Sequence, residues 1–139
     1  MCGNIHFKNN IVKHILKKYD ISKHTVSDTF KYIGVNISQD EDFMTIDQLD
    51  YANNISVVQL HPSRLLEKDS GLTKDEKTQY LSLLGKCSWL SYISRPDLKF
   101  DVYAASRKNK NPTVQDMIEL NKIVSKVKLQ KRIRIPKLD

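Results

Sequence analysis

Apolar residues recur at helical spacing along most of this chain and at strand-like spacing in only a few short stretches. Residues 7–19 place Phe7, Ile11, Val12, Ile15, Leu16 and Tyr19 on one stripe, with Lys8, Lys13, Lys17 and Lys18 mostly off it. That pattern predicts an amphipathic helix. Residues 20–28 are polar and turn-like. A β-rich run at 30–37, an acidic turn at 38–42 and a second apolar run at 43–46 follow. Two apolar runs about a polar turn predict a β-hairpin, although no Asn-Gly or Asp-Gly pair fixes the turn type.

The helical period returns weakly from Gln48, through Leu49, Ala52, Asn53 and Ser56, and stops before His61 and Pro62. Residues 67–71 are loop-like. Thr73 and Glu76 then stand three apart as a capping box, each side chain able to satisfy a free N–H at a helix start. Behind them Tyr80, Leu83, Leu84, Cys87, Leu90 and Ile93 form a stripe. Arg95-Pro96-Asp97 breaks that helix and opens another, with Pro96 suited to a first helical position and Leu98, Val102 and Ala105 facing inward. Asn111-Pro112-Thr113 is a further break. Thr113 and Asp116 cap a last helix whose stripe is Met117, Leu120, Val124 and Val127. At 130–139, Ile133 and Ile135 alternate with Arg132 and Arg134, like an unpaired strand. The pattern as a whole predicts an α+β fold, mostly α: a helix, a hairpin, then three or four helices.

Charge adds a direction to this picture. The 139 residues suffice for one domain, and 40% hydrophobic content supports a modest core. The net charge is +7 and the pI about 9.4, which favours polyanionic partners. Residues 29–60 are net acidic, so the excess lies in 1–28 and 61–139. Cys2 and Cys87 fit no metal or redox spacing and imply free thiols in a reducing compartment. No apolar run has the length of a membrane span, and the first residues lack the shape of a signal peptide. The expected location is cytoplasmic or nuclear, not secreted, with no membrane partner.

Candidate chemistry is sparse. Asp40, Glu41 and Asp42 cluster, but neighbouring acids on a turn point in different directions and are usually solvated. His6, His14, His24 and His61 have no ligand spacing. No phosphate loop, nucleophile elbow or Cys-x-x-Cys pair is present, so neither catalytic nor metal-ligating residues are expected. Nucleic-acid binding has more support. Lys122, Lys126, Lys128, Lys131, Arg132, Arg134 and Lys137 make the C-terminal stretch strongly basic. Each cation that neutralises a phosphate on duplex DNA contributes about −0.9 to the salt slope. The same residues also suit a solubilising helix face with a frayed tail. Lys31, Tyr32 and Gly34 place a charge, an aromatic ring and a closely approachable backbone in one hairpin, a set that fits a sugar-phosphate backbone.

Tyr80-Leu-Ser-Leu-Leu-Gly85 is followed by Ser94-Arg-Pro-Asp-Leu98. This helix and turn resemble the segment just behind the polymerase domain in the reverse transcriptase of copia-type LTR retrotransposon Pol polyproteins. Phe30-Lys-Tyr-Ile-Gly34-Val-Asn-Ile37 resembles the hairpin that closes the palm, the primer grip. Gln48 and Tyr51 resemble the family's Gln-x-x-Tyr at the start of the thumb, and Ala105-Ser-Arg107 and Asn111-Pro-Thr113 follow in the family's order. The likeness covers residues 7–128. The chain departs from the family at Leu60-His-Pro62, where Thr-Pro is usual, and at Val124-Ser-Lys-Val-Lys128, where Arg-Tyr-Leu-Lys is usual.

The resemblance implies a palm end with a primer-grip-like hairpin at 1–47, a thumb- and connection-like helical region at 48–129 and a basic tail at 130–139. It implies a partner, the RNA/DNA template–primer duplex, held through Lys31, Tyr32, Gly34, Lys126, Lys128, Lys131, Arg132 and Arg134. The remaining palm and fingers and the ribonuclease H domain would be further partners. The Tyr-x-Asp-Asp motif does not occur in this sequence. Mg2+ is therefore expected only with a full-length parent polymerase, and no cofactor with this chain. Asp97 is expected near a helix N-terminus and Asp101 on the surface. Two other readings stand beside this one: a non-enzymatic basic helical protein that binds nucleic acid by charge, and a non-functional retroelement remnant.

Overall fold

A computed structural model describes residues 5–18, 27–129 and 131–137. The fold is α+β and mostly α. In chain order the elements are α1 (Ile5–Lys18), β1 (Thr29–Tyr32), β2 (Val35–Gln39), β3 (Phe43–Asp47), α2 (Leu49–Asn53), α3 (Lys74–Ile93), α4 (Lys99–Ser106), α5 (Val114–Val127) and β4 (Ile133–Pro136). Single 3-10 turns lie at Arg64–Leu66 and Pro96–Leu98.

The predicted first helix exists, but Ile11 and Ile15 on its stripe are exposed. The side chains of Phe7 and Leu16, Tyr19 as a whole and residues 20–26 of the turn predicted over 20–28 lie outside the described residues.

The single β-rich run expected at 30–37 is instead two strands. β1 and β2 are joined by a tight turn at Ile33 and Gly34, both at positive φ (48° and 75°). Two successive left-handed residues match the right-handed twist of flanking strands, which is why such turns close hairpins. A β-branched residue in the first of those positions is unusual and strained. The sequence signal was hidden because Ile33 occupies the place where Asn or Asp normally announces the turn. The hairpin predicted about the acidic turn also forms, as β2 and β3. Asp40 Oδ1 accepts from the N–H groups of Asp42 (3.0 Å) and Phe43 (2.6 Å), so this carboxylate closes the turn.

The tail expected as an unpaired strand is the sheet's fourth strand. Ile133 pairs with Ile46, Arg134 with Thr45, Ile135 with Met44 and Pro136 with Phe43. All neighbours are antiparallel, in the order β1-β2-β3-β4. Alternation sorts the two faces. One carries Phe30, Tyr32, Val35, Ile37, Met44, Ile46, Ile133 and Ile135, with Gln39 at its edge; the other, mostly polar, carries Lys31, Asn36, Ser38, Thr45, Asp47 and Arg134, with Phe43 and Pro136 at one end.

The hydrophobic core sits among α3, α4 and α5. Tyr80, Leu83, Leu84, Cys87 and Leu90 meet Leu98, Val102, Met117, Leu120, Ile123, Val124 and Val127, with Ala52 and Ile55 closing one side. Both predicted capping boxes form, Thr73 with Glu76 and Thr113 with Asp116. The stretch after α2 is extended, and Asn121 on α5 holds it: its amide accepts from Val58 N–H and donates to Val58 C=O, each at 2.9 Å. Arg64 secures the loop before α3 by a forked pair to Glu76 (3.1 and 3.0 Å) and a bond to Gly71 C=O (2.9 Å).

Candidate nucleic-acid interface

The Ser-Arg-Pro-Asp motif folds into a joint between helices. Pro96 fixes the backbone at the start of the 3-10 turn, and Arg95 points inward, 3% exposed. Its Nε and Nη2 grip the two carboxylate oxygens of Asp97 (2.9 and 3.0 Å). Its Nη1 and Nη2 donate to the C=O groups of Val127 and Lys126 (both 3.0 Å) at the end of α5, where carbonyls run out of intrahelical partners. The Arg95 guanidinium beside Asp97 holds its carboxyl down at about 2. Asp97 does lie in the first turn of a short helix, as expected, but Arg95 takes up both its oxygens. Asp101, expected as a surface group, is half-buried and paired with Lys126.

The structure brings three of the eight candidate residues onto the polar face of the sheet. Lys31, Asn36 and Asp47 stand in one row across β1, β2 and β3. Arg132 reaches Asp47 from the far side, Nε to Oδ2 3.4 Å. Asn36 donates to the other Asp47 oxygen at 2.9 Å. Arg134 lies one row away, its guanidinium 4.1 Å above the Phe43 ring, a cation–π placement. Lys31 Nζ donates to Asp50 of α2 at 2.9 Å, and that bond lowers the Asp50 pKa.

Tyr32 and Gly34 belong to the tip of the β1–β2 hairpin. Tyr32 projects from the opposite, apolar face and is 64% exposed, and Ile33 beside it is 65% exposed. No atom lies within 4 Å of a Cβ built at Gly34, so its requirement is the positive φ and not space.

The remaining cations serve other roles. Lys128 Nζ donates to the C=O groups of Ala52 (3.0 Å) and Asn53 (2.7 Å), capping the end of α2 from 75 residues away. Lys131 approaches Asp97 at 3.3 Å. Lys126 faces α4 through Asp101, away from the sheet residues. Every candidate lysine and arginine thus has a protein partner. Most of these pairs are exposed, and such pairs contribute only about 0–1 kcal/mol, so a phosphate can displace the carboxylate. Lys128 differs in that its partners are two helix-end carbonyls and not a carboxylate.

Among the described residues, no cluster of His, Cys, Asp and Glu could hold a metal ion. His61 bonds to Ser63 at 2.8 Å, His14 is exposed, and His24 lies outside the described residues. Cys87 is buried in the core, and burial pushes its thiol up to about 11. Among the described residues, no helix is long and apolar enough to cross a membrane. Sequence reasoning did not single out Tyr92, Phe100 and Tyr103, three exposed rings where α3 meets α4. Their signal was present: Phe100 and Tyr103 fall three apart, off the Leu98–Val102 stripe.

Compared with protein-family models, curated proteins and solved structures, the chain matches none.

Proposed function

We propose that this chain is the template–primer-holding part of a reverse-transcriptase-like RNA-directed DNA polymerase of the copia type, without the catalytic aspartates. The observation that carries the reading is the β1–β2 hairpin. Its tight, strained tip presents Tyr32 and Ile33 to solvent, and Lys31 stands at its base. Backbone strain concentrates where a segment must keep one shape against a ligand. The reading gains support from the sheet's polar face, which aligns Lys31 with Arg132 and sets Arg134 one row away. It gains more from the opposite face, where Phe30, Tyr32, Met44 and Ile135 are exposed, as expected of a palm fragment whose remaining elements would cover them.

The test is binding of the full chain to an RNA/DNA hybrid duplex, followed by fluorescence anisotropy across a salt series. Lys31→Ala and Arg134→Ala should each weaken binding and reduce the salt slope by about 1. Unchanged affinity and slope in both variants would exclude the sheet face as the duplex site. The net charge of +7 also favours a simpler reading, a non-enzymatic protein that binds nucleic acid by charge alone. It predicts equal affinity for hybrid and DNA duplexes and the same slope change for any exposed lysine.

A further inference from the structure

The corner between α3 and α4 forms an open groove of about 340 Å³, near the lower size limit of small-molecule sites. Its walls carry three aromatic rings that the core does not use: Tyr92 is 71%, Phe100 80% and Tyr103 65% exposed. Side chains three, four and seven apart on a helix share a face. Phe100, Tyr103 and Arg107 therefore line one side of α4 and its C-terminal cap. Lys99 stands next to Phe100 and places its Nζ 4.7 Å from the centre of the Tyr92 ring. No aspartate or glutamate lines the groove. Asp101, the one acid of α4, is turned away and paired with Lys126. Neither Lys99 nor Arg107 has a carboxylate partner among the described residues.

Exposed rings in isolation would suit a protein partner. Here they stand beside cations and meet no anion, and Ser88, Ser91 and Ser106 line the same groove. That combination complements a chain of flat, hydrogen-bonding faces joined by negative charges. Single-strand binders use the same two elements, stacking rings for the bases and a cationic margin for the backbone. In a duplex the base faces are already covered, so the rings discriminate in favour of unpaired nucleotides.

We infer that the α3–α4 groove is a stacking site for unpaired bases of a single-stranded nucleic acid, with Phe100, Tyr103 and Tyr92 as platforms and Lys99 and Arg107 on the phosphates. It shares no residue with the sheet face and does not rest on the polymerase reading.

The test uses the full chain and a fluorescein-labelled thymidylate oligomer of roughly 15 nucleotides, about one single-strand site. A matched abasic oligomer keeps the phosphates and removes the bases. Phe100→Ala and Tyr103→Ala should each weaken thymidylate binding by about 5- to 150-fold, the range for loss of one stacked base. Phe100→Trp should retain binding. Lys99→Ala and Arg107→Ala should each lower the salt slope by about 0.7. The wild type should prefer the thymidylate oligomer to the abasic one, and Phe100→Ala should lose that preference. Because these side chains are exposed, unchanged thermal melts will separate a binding defect from unfolding. Lys31→Ala should leave thymidylate binding unchanged, which keeps this outcome apart from that of the hybrid-duplex assay. Equal binding of both oligomers by the wild type, or wild-type binding by Phe100→Ala and Tyr103→Ala, would overturn the inference. So would an absence of binding, or a result in which the alanine variants disperse a self-associated form with oligomer affinity unaltered.

Discussion

Arg95 offers the sharpest test of how the helical body is held. Its guanidinium is buried and bonds to Asp97 through a fork and to the last carbonyls of α5. In Arg95→Ala, Val127 C=O loses this donor inside the protein, whereas Lys126 C=O keeps a bond from Leu129 N–H at 3.2 Å. One orphaned buried acceptor costs about 1–3 kcal/mol. Loss of the packed side-chain stem adds to that. Asp97 is 37% exposed on its side chain and can rehydrate, so its loss of a partner contributes at the low end. The total comes to about 2–4 kcal/mol, or roughly 10 °C in melting temperature for a domain of this size. Arg95→Lys keeps the charge but cannot reproduce the fork, and should recover less than half of the loss. Urea denaturation followed by far-ultraviolet circular dichroism would read this as a lower midpoint at an unchanged slope. A loss below about 1 kcal/mol in Arg95→Ala would refute the account, because it would mean the α5 carbonyls are satisfied without the guanidinium.

The same site predicts an acid-side dependence. The Asp97 carboxyl is lowered from 3.8 to about 2, chiefly by its hydrogen bonds from Arg95. A depressed carboxylate stabilises the fold above its unfolded value, and that contribution is lost as pH falls from about 4 through 2. Urea midpoints measured over that interval should fall less steeply in Asp97→Asn than in the wild type; parallel curves would exclude Asp97 as a source of the dependence. At the hairpin tip, Ile33→Asn should stabilise by roughly 1 kcal/mol, because Asn tolerates the left-handed region that Ile33 is forced into. Gly34→Ala should destabilise by about 1 kcal/mol despite open space around it. Thermal melts of the two variants that shift in the same direction would contradict this reading of the turn.

The parts of the fold visible in the sequence were those governed by residues close together. α3, α4 and α5 announced themselves because apolar spacing, two capping boxes and two prolines all agree locally, and the stripe residues Tyr80, Leu84, Val102, Met117 and Val124 are indeed buried. The β1–β2 turn was obscured by Ile33, a residue whose own preference opposes the conformation it adopts. β4 was invisible as a sheet member because its partner β3 lies about 90 residues away, and alternation reveals a strand without revealing its neighbour. The basic residues were legible as charges, but not as partners. Nothing near Lys128 in the sequence marks Ala52 and Asn53 as its acceptors, and nothing near Arg132 marks Asp47.

The placement of β4 has a consequence for how the molecule is made. Strands β1 to β3 leave the ribosome well before β4, and the outer rim of β3 has no companion until Ile133–Pro136 has been translated. At roughly 5–20 residues per second, that interval is on the order of 5–20 s. Throughout it the nascent chain presents a row of unsatisfied peptide groups, an invitation to another strand. The three helices, whose contacts are closer in sequence, can assemble in the meantime. Completion of the sheet thus comes after the helices can assemble, and a chain cut off near residue 130 would be a body folded at one end and adhesive at the other.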